Sequence, residues 1–520
     1  MTVTADPEAE HRQHEHAVPR WQAAIAGVLA AVAALSAAEV VAALLDGAGS
    51  PVTSIGNAVI DVAPPALKDA AIGLLGTADK PALIGGVLVV LALVAAATGV
   101  LAVRRFWVGA AGVMLLGLVG LAAALADAEA AMAALLPSFA AIITGVAALR
   151  VLITALTATT GEQTEDRRRF LMAAGAVGAS ALVGGGVARW LVGDRLAAAA
   201  PSAVPLPAAD EALPPVPDGA SLQVEGLSPF VTPNDDFYRI DTALRAPTIA
   251  VEDWRLSITG MVDNPMELTY DQLLEYELVE ADITLACVSN EVGGDLIGNA
   301  RWRGVRLADL LDDAGVQSGA DQLVGRAVDG FTTGSPLETV LDGRESLIAI
   351  GMNGEPLPRL HGFPARIVVP GLYGYVSATK WLAELELTTF DAFDAYWIPR
   401  GWAERAPIKT QSRIDVPNGT TNVRPGPQTV AGVAWAQRRG IAMVEVQVDD
   451  GPWEEAQLAE AVGKDTWRQW AYRWQATEGT HQLRVRATDE TGETQPEEQV
   501  APRPDGATGW HTVAVPVTAA

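Results

Sequence analysis

Along the chain the hydrophobic pattern changes character twice. Up to about residue 200 the apolar positions run on without a polar face, in stretches 21–45, 82–103, 106–126, 130–156 and 170–192. Each is long enough as a helix to cross roughly 30 Å of hydrocarbon, which takes about 20 residues. Buried helices of a soluble protein would show polar positions at helical period. These show almost none, so five membrane spans are expected. From 225 to about 395 the pattern is mixed. "WRLSITG" (254–260) alternates as a strand, and "TYDQLLEYE" (269–277) opens on a Thr cap and continues as a short helix. "RLADLLDDAGV" (306–316) is a helix closed by Gly315, while "ARIVVPG" (365–371) and "WLAELELTTF" (381–390) read as buried strands. The prediction is an α+β domain over 225–400. From 405 the period is two throughout: "GVAWA" (432–436), "MVEVQVDDGPW" (443–453), "YRWQAT" (472–477), "HQLRVRATDETG" (481–492) and "WHTVAVPV" (510–517). Short strands with Asp-Gly and Thr-Gly turns predict a β-sandwich of immunoglobulin-like type over 405–520. The Pro-, Ala- and acid-rich 196–224 reads as an extended linker.

Charge sharpens this division. The first 200 residues hold 12 Lys+Arg and 15 Asp+Glu, so about −23 of the total −26 falls on residues 201–520. So acidic a second half excludes nucleic acid and anionic lipid surfaces as partners, since their phosphates repel it. In the short loops Arg20, Arg104, Arg105, Arg150, Arg167, Arg168 and Arg169 flank one side of the spans. Asp46, Asp61, Asp127 and Glu129 flank the other. The positive-inside rule then puts the N-terminus in the cytoplasm and everything after residue 195 outside, in a multi-pass protein of the cell membrane. "EDRRRFLMAAGAVGASALVGGG" (165–186) fits a twin-arginine export signal of the pattern R-R-x-F-L, built into the fifth span and retained as an anchor. Three arginines at a cytoplasmic helix end fit an ordinary stop as well. Glu39 lies inside the first stretch, near its Asp46 end, where it snorkels outward or carries a proton. The six histidines are at 11, 14, 16, 361, 481 and 511, none within a span, which excludes a bis-histidine haem there.

One cysteine is left to explain. Cys287, in "ITLACVSNE" (283–291), is the only one in 520 residues, so no disulfide forms within the chain. It is an inert core thiol, a nucleophile, or a soft metal ligand. Three blocks in order, "FVTPNDDFYRIDTAL" (230–244), "CVSNEVGGDLIGNARWRGVRLADLL" (287–311) and "RLHGFPARIVVPGLYGYVSATKWL" (359–382), resemble the sulfite oxidase family of molybdopterin enzymes. The following sandwich is similar to that family's C-terminal dimerisation domain, so the resemblance covers roughly 225–515. It implies a molybdenum–molybdopterin cofactor with Cys287 as the metal's protein thiolate and the one catalytic residue. A lone cysteine suffices there, because the pterin dithiolene supplies two further sulfurs. By the same resemblance Asn234, Phe237 and Tyr238 form the first cofactor loop, and Asp329 is an acidic pterin contact. His361 and Arg366 clamp phosphate and pterin, and Ala378, Thr379 and Lys380 form the last loop. Arg366 and Lys380 suit phosphate chemically.

Departures from the family bear on the substrate. Sulfite oxidases carry an arginine directly after "FV", where this chain has Thr232. Their two arginines after the cysteine, in "CAGNRR", are replaced by Glu291 and Val292, and their "DYK" tyrosine falls near Trp402. An oxyanion needs cations around it, so a small substrate other than sulfite is expected. The resemblance implies oxygen-atom or two-electron transfer, a homodimer through the sandwich, and a separate electron partner, either a cytochrome or a quinone-linked subunit. Two alternatives remain: a sulfoxide-reductase-like repair enzyme, and a non-catalytic membrane scaffold displaying the sandwich.

Overall fold

The computed structural model describes residues 18–45, 50–63, 79–126, 132–158, 163–198, 201, 204–244, 246–419 and 422–519. The chain divides into two compact units, Met1–Ala197 and Ala198–Ala520. The first is helical: α1 (Arg20–Leu44), α2 (Pro51–Val62), α3 (Asp79–Arg104), α4 (Phe106–Leu125), α5 (Leu136–Thr157) and α6 (Gln163–Ala198). Five helical segments are long and apolar enough to cross a membrane: Arg20–Leu44, Lys80–Arg104, Phe106–Leu125, Met132–Thr157 and Arg167–Val192. Each agrees with an expected stretch to within about four residues at either end. Asp46, Asp127, Glu129 and the histidines at 11, 14 and 16 lie outside the described residues.

Small residues set the packing of these helices. Along α1, Ala23, Ala26, Gly27, Ala30, Ala33, Ala34 and Ala38 are buried at helical spacing. A Cβ on Gly27 would stand 1.9 Å from the carbonyl oxygen of Ala95 in α3, so the two backbones are in direct contact. Close approach of this kind maximises van der Waals packing between apolar helices. Leucines and valines such as Leu93, Leu115 and Leu182 point outward instead. Arg167, Arg168 and Arg169 are exposed on the early turns of α6, and Phe170 turns inward. The sequence pattern gave no sign of α2, which starts on a Ser50 cap and, at 12 residues, is too short to span.

The second unit opens with ten strands: β1 (Arg255–Gly260), β2 (Met266–Thr269), β3 (Leu278–Ala286), β4 (Ile297–Arg306), β5 (Gln322–Ala327), β6 (Thr332–Pro336), β7 (Leu347–Met352), β8 (Glu355–Pro356), β9 (Arg366–Val368) and β10 (Leu382–Thr388). They form one sheet in the order β2-β1-β10-β5-β6 and a second in the order β3-β4-β7-β8, with β9 also on β7. The expected helices are present. Thr269 caps Tyr270–Leu273 in a reciprocal box with Gln272, and Leu307–Ala314 ends on Gly315 at φ 67°.

In the second sheet, alternation decides what faces what. Ala281, Ile283 and Leu285 of β3 join Trp302 of β4 and Val368 of β9 in one apolar cluster. The intervening residues of β3 face the other way, with Asp282 opposite Arg301 and Glu280 opposite Arg303.

Eight further strands follow: β11 (Gln411–Val416), β12 (Gly426–Trp435), β13 (Ile441–Val448), β14 (Trp453–Glu455), β15 (Gln457–Leu458), β16 (Arg468–Ala476), β17 (Gly479–Asp489) and β18 (His511–Val517). They make two four-stranded sheets, β11-β12-β16-β15 and β14-β13-β17-β18, which share a single core including Val430, Val444, Trp470 and Val485. The segment expected to be a linker is extended from Val204 onward but docked. Asp210 N–H donates to Leu278 O at 2.7 Å, Glu211 bridges Val279, and Ala220 is fully buried.

Candidate cofactor and active site

Continuing the alternation of β3 by one step places Cys287 on the face that carries Ile283, Leu285 and Trp302. Its N–H donates to Leu296 O at 2.9 Å, so the ladder with β4 closes behind it and residues 288–295 form an excursion. Within that loop Asn290 N–H donates to Cys287 O at 3.1 Å, and its Oδ1 accepts Leu296 N–H at 2.9 Å. The thiol lies 2.9 Å from Ser289 Oγ. Burial pushes its pKa up, and bonds from Ser289 and Val288 offset this only in part. A protonated thiol of this kind is a poor nucleophile. His361, the base such a nucleophile would use, is engaged elsewhere: its Nε2 is 2.8 Å from Asn234 O. A thiol held this way becomes a ligand once a metal displaces its proton.

Around it stands an aromatic wall. Phe237 stacks on Tyr238 at 5.3 Å and meets the edges of Trp302 at 5.9 Å and His361 at 5.7 Å. Burial and the nearby Cys287 push the Tyr238 phenol far up, against the lowering influence of Arg366. Over Trp302, at 5.0 Å, lies the guanidinium of Arg366. This group is only 5 % exposed. Its Nη1 donates to His361 O at 3.0 Å and its Nη2 to Ala378 O at 3.4 Å, while Nε has no partner. Among the described residues no carboxylate pairs with it, and burial lowers its pKa to about 10. A buried cation without a counter-ion is costly, so the site is built for an anionic ligand. The donor set, a guanidinium beside a thiol and an aromatic wall, fits a phosphorylated, sulfur-bearing pterin.

Burial, helped by Arg366, lowers the His361 pKa to about 4. The ring is therefore neutral, and since a carbonyl only accepts, Nε2 carries the hydrogen and Nδ1 remains an acceptor.

Of the residues expected from the sequence, Asn234, Phe237, Tyr238, Cys287, His361, Arg366 and Ala378 come together. Lys380 sits at the margin, donating to Ile240 O at 3.0 Å and pairing with Asp241. Asp329 occupies the β5–β6 turn, where its carboxylate accepts Phe331 N–H at 3.3 Å. The Thr379 hydroxyl is spent in the interior, 2.7 Å from Thr333 Oγ1. Two members of the site were missed. Trp302 supports Arg366, and Asn353 donates to Thr232 O at 2.9 Å and to Asn234 Oδ1 at 2.8 Å, fixing the first loop. A turn was detectable in "MNGE", since Asn-Gly between strands favours the positive φ that Asn353 adopts, 55°.

Among the described residues, the cations that match sulfite chemistry do not lie on this face. Arg301 donates to both oxygens of Asp282, at 2.9 and 2.8 Å, and Arg303 binds Glu280 at 2.5 Å, all on the opposite face of the sheet. Thr232 is buried and accepts Asn299 N–H at 3.1 Å, while Glu291 is exposed. Trp402 packs on Tyr375 at 5.9 Å.

Comparison with known proteins agrees with this geometry. Residues 243–397 match the family described as "Oxidoreductase molybdopterin binding domain". Mitochondrial sulfite oxidase of Rattus norvegicus is 30 % identical over 342 residues, 55 % of this chain and 62 % of that protein. The chain thus spans somewhat less than two thirds of that relative. The uncharacterized oxidoreductase YuiH of Bacillus subtilis is 36 % identical over 152 residues, 29 % of this chain and 73 % of that protein. Among solved structures, the sulfane dehydrogenase SoxCD of Paracoccus pantotrophus aligns at 24 % identity with a TM-score of 0.49, over 57 % of this chain and 85 % of that one. The chain belongs to the sulfite oxidase family of molybdopterin-binding oxidoreductases.

Proposed function

We propose that this is a membrane-anchored, extracytoplasmic oxidoreductase that transfers an oxygen atom or two electrons to or from a small substrate other than a compact dianion. One observation carries the reading: the buried guanidinium of Arg366, with a donor unpaired and no counter-ion among the described residues, facing the same wall as Cys287. Cys287 would ligate the metal. Arg366 and Lys380 would take the phosphate, and the acceptor Nδ1 of neutral His361 suits a pterin N–H better than a phosphate oxygen. Phe237 and Tyr238 would wall the pterin, Asn234 holds His361, and the backbone of 378–379 would border the cofactor, whereas Asp329 is tied into the β5–β6 turn. Molybdenum–molybdopterin supplies the two-electron chemistry when bound. The pairing of Arg301 and Arg303 away from the site, with Thr232, Glu291 and Trp402 near it, favours a neutral or weakly charged substrate.

Five apolar helices and the arginine-rich loop ends support an anchor with the acidic half outside. The exposed Arg167 and Arg168 ahead of inward-turned Phe170 support twin-arginine export. Replacing both by Lys should then leave the acidic half inside the cell, and normal export would reject that part. The paired C-terminal sheets are read as immunoglobulin-like and as the contact of a homodimer, which monomeric sedimentation in detergent would overturn. Electrons would leave to a cytochrome or a quinone-linked subunit. Metal analysis of the purified, cofactor-replete full chain tests the core reading. Close to one molybdenum per chain is expected, and far less would favour a scaffold. A substrate panel with a dye electron acceptor then identifies the reaction.

A further inference from the structure

We infer that the C-terminal domain positions the Cys287 thiol, gripping its segment upstream at Thr284 through loop residues and downstream at Gly294 through β11. This rests on the reading of Cys287 as the metal ligand.

Among the described strands β3 is the edge of its sheet, laddered to β4. An open edge leaves N–H and C=O groups unpaired and free to slip. Near its start the edge is covered by residues 210–211, where Glu280 N–H donates to Glu211 O at 3.1 Å. Near its end the C-terminal domain covers it. Thr284 N–H donates to Asp465 O at 2.9 Å, and Gln437 Nε2 donates to Thr284 O at 3.1 Å.

The Thr284 hydroxyl is fully used as well. It accepts Trp467 N–H at 2.7 Å and donates to Asn299 Oδ1 at 2.9 Å. Trp467 Nε1 and Asn299 Nδ2 then converge on Phe230 O, at 2.8 and 2.9 Å. Thr284, Asn299, Trp467 and Phe230 are all at most 3 % exposed. This closed, dry network joins the first cofactor loop, β3, β4 and the C-terminal domain three residues before the cysteine. Satisfied buried networks of this kind select one geometry.

Beyond the cysteine a second grip appears. Arg413 of β11 donates through Nη1 to Gly294 O at 2.7 Å and through Nη2 to Ser228 Oγ at 2.9 Å. His511 of β18 covers Gly293, where an added Cβ would come within 2.3 Å of the ring. The segment that carries the thiol is therefore fixed on both sides of it by elements outside its own sheet. Thr284 and Arg413 act through Cys287 and are positioning residues.

Because Cys287 is the only cysteine, its alkylation reports this segment alone. The test uses full chains carrying Thr284→Val, Thr284→Ser or Arg413→Gln. One neutral hydrogen bond is worth about 1 kcal/mol, or about fivefold in local opening, and one from a charged guanidinium about 1.5 kcal/mol or more, or about tenfold. In cofactor-free protein, iodoacetamide should alkylate Cys287 about fivefold faster in the Val variant, about tenfold faster in the Gln variant and near the parent rate in the Ser variant. In cofactor-loaded protein the Mo(V) EPR signal of the Val and Gln variants should shift or broaden. Folded variants whose alkylation stays within about twofold of the parent, with an unchanged EPR signal, would overturn the inference. If Thr284→Val does not fold, Arg413→Gln decides by the same criteria. Alkylation is read without metal, so failure here is separable from failure of Cys287 as a ligand.

Discussion

Replacing Arg366 by Met keeps the length of the side chain and removes its charge, and the consequences for the empty and the loaded protein should diverge. In the cofactor-free site, burial lowers the guanidinium pKa from its ordinary value to about 10. At about 1.4 kcal/mol per unit, the charged form is disfavoured by on the order of 3 kcal/mol. Met abolishes that cost. It also deletes the bonds to His361 O and Ala378 O, each worth roughly 1 kcal/mol. The two effects nearly cancel, so cofactor-free stability should move by no more than about 2 kcal/mol. In the loaded protein the same change leaves the buried phosphate with only Lys380, itself paired with Asp241, which costs about 3–5 kcal/mol. Cofactor retention should then fall by between about 10²- and 10⁴-fold. Molybdenum and pterin content after gel filtration, set beside denaturant unfolding of cofactor-free chain, measure both arms. The reasoning fails if the variant keeps its cofactor, or if the empty protein loses well over 3 kcal/mol, since Arg366 would then be a structural cation.

Two further outcomes are expected. His361 is held near pKa 4 by burial and Arg366, and His511 near 4 by burial and Arg413. Both stay neutral when folded, whereas an unfolded histidine takes its proton near 6.5. The unfolded chain therefore binds more protons between about pH 6.5 and 4, and stability falls as pH drops through that window. His361 alone contributes up to about 3 kcal/mol. His361→Gln should flatten unfolding-versus-pH curves there, and an unchanged slope would count against a neutral His361. In the helical unit, Gly27→Leu cannot be accommodated against Ala95 O without separating α1 from α3. It should lower the thermal midpoint of the detergent-solubilised chain and leave folded protein scarce; parent-like melting would contradict the backbone contact.

The parts of this molecule that were legible in the sequence are those written in local periodicity. The long apolar helices were legible because apolar residues there lack any polar face, and β17 because burial alternates along it. Cys287, His361 and Arg366 were found through a resemblance of blocks, and no short-range pattern marks Arg366 as an unpaired cation. What stayed hidden depends on contacts between distant residues. Trp302 looks like any core tryptophan until Arg366 is laid over it. Thr284 reads as a strand residue, and only the fold brings Trp467 and Gln437 to it, 183 and 153 positions away. The Pro-rich 204–224 reads as a spacer by composition, since nothing in its own sequence announces the open edge of β3 that it partly covers. Arg301 and Arg303 could be counted from the sequence, but their direction follows from the register of β3 against β4.

The central claim is a bond between the Cys287 sulfur and molybdenum. X-ray absorption of the cofactor-loaded full chain, compared with its Cys287→Ser variant, tests it directly. One sulfur fewer in the metal's coordination shell is the predicted result, and an identical shell in parent and variant would contradict the account.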